Sequence, residues 1–238
     1  MEIFKRENII LKDDSMWLQN PRIYGPISIL IAGVLVYTVD VTLEPLSVFY
    51  SEISSEISAE TVAIENALFV LITGFLGLIF ASRCNLPWWW RPGDGSPDAK
   101  RTSTTVLILG VALVVANTVI NVAYRNRGLL GASSLTPEVA LALGFHAAIV
   151  EEIGFRLFLF SIGVWAANYV LHSRDGAIAI GALVSTLLFA LFHPGSGNVL
   201  AFVLGFVILY IYYQRGLIPA MVVHFLADAI PFTLTSIM

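Results

Sequence analysis

The chain has 238 residues, a formal net charge of −4, and is 57% hydrophobic but only 13% charged, with a mean hydropathy of +0.81. A soluble domain of that balance could not cover its surface with polar groups, so the composition excludes a soluble globular protein and points to an integral membrane one. No basic cluster offers a nucleic-acid footprint, the single cysteine, Cys84, excludes an internal disulfide, and no polar block is long enough to fold separately, so one integral membrane domain is expected over 1–238.

Residues 1–22 are polar, mix Lys5, Arg6, Lys12 and Arg22 with acids, and lack the apolar core and cleavage site of a signal peptide; they read as a cytoplasmic N-terminal tail. A first span is expected over 24–43, with Asp40 near its far end reaching interfacial water. The next loop is acidic, carrying Glu44, Glu52, Glu56 and Glu60. A second span follows over 61–82, where Glu65 in the first turn is a favourable helix-dipole charge. Residues 83–101 change to Pro, Gly, Asp and basic residues and read as a loop, whose Trp88, Trp89 and Trp90 suit the headgroup layer as an aromatic belt. The third span, 104–124, is uncharged. Arg125, Arg127 and a Gly/Ser turn lead to Pro137, well placed as a first helical residue.

An apolar run over 137–171 would be roughly 52 Å long as a helix, more than the roughly 30 Å hydrocarbon layer. It is either one bent or tilted span or two spans broken near Gly154. Cytoplasmic loops are enriched in Lys and Arg. With one span here, Lys5, Arg6, Lys12, Arg22, Arg83, Arg91, Lys100, Arg101, Arg174 and Arg215 fall inside, against Arg125 and Arg127 outside. With two spans, Arg174 and Arg215 move outside. The better count is seven spans with the N-terminus cytoplasmic, the last three over 175–193, 198–214 and 217–237. The expected fold is therefore an all-α, polytopic transmembrane helical bundle of about seven spans, or eight if 137–171 is divided.

Within that run stand Glu151, Glu152 and Arg156. A charge at the centre of a membrane helix costs about 2.5 to 3.5 kcal/mol on insertion scales, so three in so short a stretch need pairing and a purpose. On an α-helix Glu152 and Arg156 share a face and form an ion pair, while Glu151 is rotated roughly 100° away and stays free. Two later spans bring more polar groups to membrane depth. Phe189 and His193 lie four apart at the end of the fifth, and His224 and Asp228 four apart inside the seventh. Acids, histidines and one arginine on three separate spans mark a site. His146, about 140° around the helix from Glu151, does not face it and is expected to be structural, and His172, beside Arg174 at a helix end, is expected to be solvated. Cys84 is expected to be an inert thiol near a membrane boundary.

The ordered set EExxxR, FxxxH and HxxxD on successive spans resembles the CAAX protease and bacteriocin-processing (CPBP) family of intramembrane endopeptidases, which includes the Ras-converting CAAX endopeptidase. The resemblance covers 137–238, the motif-bearing half. It implies hydrolysis of a peptide bond without a covalent intermediate, with Glu151 and His193 activating a water, His224 and residue 228 stabilising the oxyanion, Arg156 positioning the glutamates, and Glu152 and Phe189 in support. At 228 the family's usual asparagine is replaced by Asp228, which cannot donate to an oxyanion when ionised, so it must either be protonated or hold His224 in a cationic, donating form, and the second is the expected part. The implied partners are membrane lipid and a membrane-associated protein or peptide substrate, prenylated or of the bacteriocin type, in the plasma membrane of a prokaryote.

Two other readings use the same residues. Glu151, His193 and His224 could ligate zinc, although HExxH is absent and Arg156 repels a cation; no cofactor is the expected state. A proton-coupled transporter could use the acids and histidines as a relay. Such transporters show broken helices in both halves, whereas here the polar residues are confined to the second.

Overall fold

The computed structural model describes residues 24–43, 58–91, 96–124, 135–193 and 197–238. The expected N-terminal tail, the first three glutamates of the acidic loop, Arg125 and Arg127 lie outside the described residues. Every described element is helical: α1 (Tyr24–Leu43), α2 (Ala59–Arg83), α3 (Pro97–Tyr124), α4 (Pro137–Glu151), a π-helical segment (Glu152–Phe160), α5 (Ser161–Leu171), α6 (Arg174–Leu191), α7 (Gly197–Arg215) and α8 (Leu217–Ile237). Six of these are long and apolar enough to cross a membrane. The seventh crossing element is compound. Glu151, Glu152, Phe160 and Ser161 all keep right-handed helical dihedrals, so α4, the π segment and α5 run on as one rod over 137–171 without a break at Gly154. The protein is a polytopic helical membrane protein of about seven spans.

The helix starts follow side-chain capping. Ser58 accepts from Thr61 N, Thr136 from Val139 N ahead of Pro137, and Ser173 from Gly176 N, each meeting an amide that the first turn leaves without a partner. The third helix begins at Pro97, seven residues before the expected Thr104, because Ser96 Oγ accepts from Ala99 N and Pro97 needs no donor at the first position. The polar residues 97–101 are thus helix rather than loop. Arg215 at the end of α7 ties that extension down, with Nη2 2.6 Å from Ala99 O.

Close helix contacts in lipid rest on small residues. A Cβ on Gly74 would meet the Ile29 side chain, one on Gly77 would sit 2.9 Å from the backbone of Leu157, and one on Gly144 would sit 3.0 Å from Ala229 N. These contacts join α2 to α1, α2 to the π segment and α4 to α8. The interior they close is apolar, running from Ile29, Val70 and Leu78 through Ile153 and Phe160 to Ile208. Large apolar side chains on the outer faces, such as Val34, Leu107, Ile108 and Val111, remain exposed, as a lipid-facing surface requires.

Two expectations about polar and aromatic residues are corrected. Asp40 does not reach interfacial water: it is buried, with Oδ1 2.7 Å from His146 Nδ1 and Oδ2 accepting from Asn66 Nδ2 at 2.9 Å. A carboxylate in hydrocarbon needs partners, and it finds them on α2 and α4. That contact also gives His146 the structural place its helical phase demanded. The tryptophan triplet is not a belt either. Trp88 is buried in the core, Trp89 packs against it, and Trp90 alone is well exposed. Backbone pairing explains this, for Arg91 N donates to Arg215 O and Ile218 N to Trp89 O, fastening the 86–91 segment against the α7–α8 turn. Gly216 makes the turn possible: its φ is +92°, and a Cβ there would run into the Trp89 carbonyl.

Candidate active site

The rod 137–171 changes from α to π geometry where its charges lie, and π turns recur at functional sites. Glu151 ends the α-helical part and Glu152 opens the wider turn. A wider turn separates successive side chains by less than the roughly 100° of an α-helix, and both glutamates reach the same histidine. His224 Nδ1 is 2.7 Å from Glu152 Oε1, and His224 Nε2 is 3.7 Å from Glu151 Oε2 and 3.3 Å from Asp228 Oδ2. Ser185 of α6 pins the turn by donating to Phe155 O at 2.6 Å.

Burial separates the two glutamates. The Glu152 side chain is wholly enclosed and that of Glu151 is 27% exposed, as that of Asp228 is 20% exposed. The mouth of the site is therefore lined by Glu151 and Asp228, with His224 behind them and Glu152 deepest. Arg156 Nε lies 3.4 Å from Glu152 Oε2, in the i, i+4 relation its spacing implied. Glu152 does more than pair with arginine, since its other oxygen takes the shortest contact to His224. The contact expected between Asp228 and His224 is present, and it is the longer of the two.

Phe189 is the hub of the constellation. The Arg156 guanidinium carbon stands 4.1 Å above its ring centroid, a cation–π contact that adds to its pairing with Glu152. The His193 ring is 4.6 Å from the same centroid and the His224 ring 6.1 Å. Gly205 of α7 lets this happen, for its missing Cβ would lie 3.0 Å from the Phe189 ring edge. α6 ends at Leu191 and His193 follows in a bend, its Nδ1 2.8 Å from Phe189 O. A carbonyl only accepts, so Nδ1 carries the proton in this contact. His193, His224, Asp228 and Arg156 are all within electrostatic reach of Glu151. The structure thus brings Glu151, Glu152, Arg156, Phe189, His193, His224 and Asp228 together and leaves His146 with Asp40.

A family model described as type II CAAX prenyl endopeptidase Rce1-like matches residues 133–230. This segment is an Rce1-like domain. No curated protein and no solved structure matches the chain. The matched segment holds every residue of the constellation, and the match supports the resemblance to the CAAX protease family drawn from the motifs. Nothing in the comparison favours a transporter. Among the described residues no three His, Cys, Asp or Glu side chains are grouped as ligands for one metal ion. The glutamate pair's joint hold on His224 and the role of Ser185 were missed by sequence reasoning, because nothing in the local pattern signals a π turn.

Proposed function

We propose that the protein is an intramembrane endopeptidase that hydrolyses a peptide bond of a membrane-associated protein or peptide with a water activated by Glu151 and His193. The observation that carries this reading is the partly exposed Glu151 carboxylate, with Asp228 at the mouth, beside the enclosed Glu152–His224 pair. Glu151 takes a proton from the water and the hydroxide attacks the scissile carbonyl carbon. His193 orients the water through Nε2. His224, held at Nδ1 by Glu152, presents Nε2–H to the carbonyl oxygen as negative charge develops there, and such donors lower a barrier by several kcal/mol in a water-poor site. Collapse of the tetrahedral intermediate passes the proton from Glu151 to the leaving amine, giving a new carboxylate and a new amino terminus. Asp228 sits at the mouth as an acceptor for His224 and for the incoming peptide's N–H groups.

No metal enters this scheme. His224 turns one ring nitrogen to Glu152 and the other to Glu151 and Asp228, leaving it no lone pair for a cation, and the Arg156 charge stands behind the same carboxylates. The substrate class is a peptide with a lipidated cysteine near its C-terminus, in keeping with the Rce1-like domain. Purified protein in nanodiscs should cleave a prenylated C-terminal peptide in preference to its unprenylated twin, and His193→Ala should lower kcat by about 10²-fold or more. Equal cleavage of the two peptides would remove the lipidated substrate, and an unimpaired His193→Ala would remove His193 from the reaction.

A further inference from the structure

Pro231 stands inside α8, and a proline there has no N–H to give the carbonyl four residues earlier. That carbonyl belongs to Ala227, which lies between His224 and Asp228 and is buried. Asn117 of α3 supplies the missing donor, its Nδ2 lying 2.7 Å from Ala227 O. A second asparagine sets the amide's orientation. Asn121 Nδ2 reaches Asn117 O at 2.9 Å and Asn117 Oδ1 at 3.1 Å, so Oδ1 accepts and Nδ2 must face α8. Both asparagines are buried, and both precede residues 133–230, outside the Rce1-like domain. α3 is already close here, since a Cβ on Gly110 would sit 3.0 Å from Val223, the neighbour of His224.

A helix bends most readily where a proline has removed a rung of its ladder, and the rung removed here spans Ala227 to Pro231, just past His224. A swing of α8 at that point would draw His224 Nδ1 off Glu152 Oε1, a 2.7 Å contact whose strength falls steeply with distance and angle. We propose that Asn117 is a positioning residue for the hydrolytic site: it replaces the hydrogen bond that Pro231 deletes and so locks the 224–228 turn in the register that seats His224 between Glu152 and Asp228. This rests on the endopeptidase reading.

The test is a double-mutant cycle on the full chain in nanodiscs, comparing wild type, Asn117→Leu, Pro231→Ala and the double variant. Thermal unfolding is followed beside kcat and KM for a prenylated C-terminal peptide. Leucine keeps the size and loses the donor, while alanine at 231 restores an N–H that meets Ala227 O within the helix. Asn117→Leu should lower kcat by about tenfold or more with KM little changed, and in the Pro231→Ala background the same substitution should cost no more than about threefold. The unfolding temperatures should show the same non-additivity. Equal fold-losses in the two backgrounds, or a wild-type kcat in Asn117→Leu, would overturn the proposal. Should wild type cleave no peptide at all, the endopeptidase reading fails, and the unfolding temperatures still decide: additivity there overturns the lock, and non-additivity keeps it.

Discussion

Glu151 and Glu152 are chemically identical neighbours with different work, and their surroundings divide it. Glu152 is enclosed between the Arg156 guanidinium and the His224 ring, so neutralising either partner strands a buried charge. Arg156→Ala should lower unfolding free energy by about 3 to 5 kcal/mol, measured by denaturant or thermal unfolding in detergent; a variant as stable as wild type would mean that Glu152 does not depend on Arg156. Arg156→Lys should not recover full stability, because a lysine cannot lay a planar cation on the Phe189 ring as arginine does. The residues of the site were legible in the sequence because charges and histidines at membrane depth are costly and so announce themselves. Their pairing was legible only where spacing along one helix sufficed, as for Glu152 with Arg156 and His224 with Asp228. The contact of Glu152 with His224 joins residues far apart in the chain and depends on the packing of α4 against α8.

Elements show the same limit in another form. The apolar runs marked each helix, but Ser96 and Pro97 carried α3 past the polar residues that read as loop, and backbone pairing drew Trp88 inward from the headgroup layer. Asp40 is a further case, since its partners Asn66 and His146 come from two other helices. Contacts between elements also decide which glycines matter. Gly77 lies against the backbone of Leu157, next to Arg156, and neither chain can yield there. Gly77→Ala should cost about 1 to 3 kcal/mol of stability and should reduce activity by disturbing the π segment. Gly176→Ala, where a Cβ meets only ordinary contacts, should be neutral or slightly stabilising, within about 1 kcal/mol. Unfolding of the two variants side by side checks the contrast, and equal effects would contradict it.

On the scale of the whole molecule, the first half supplies more than lipid-facing bulk. α2 backs the π segment through Gly77, and α3 reaches α8 through Asn117, so the Rce1-like domain is buttressed by helices outside it. A water-based mechanism in such a frame makes no call on a metal, and activity should survive a strong zinc chelator such as 1,10-phenanthroline; loss that added zinc reverses would restore the metal reading. The most direct test of the central claim is the rate at which Glu151→Gln releases the C-terminal fragment of a prenylated peptide in nanodiscs, compared with wild type. Glutamine keeps the shape and cannot take the proton, so the account predicts a fall in kcat of about 10² to 10⁴-fold with an unchanged unfolding temperature, and a Glu151→Gln protein that cleaves within about tenfold of wild type would contradict it.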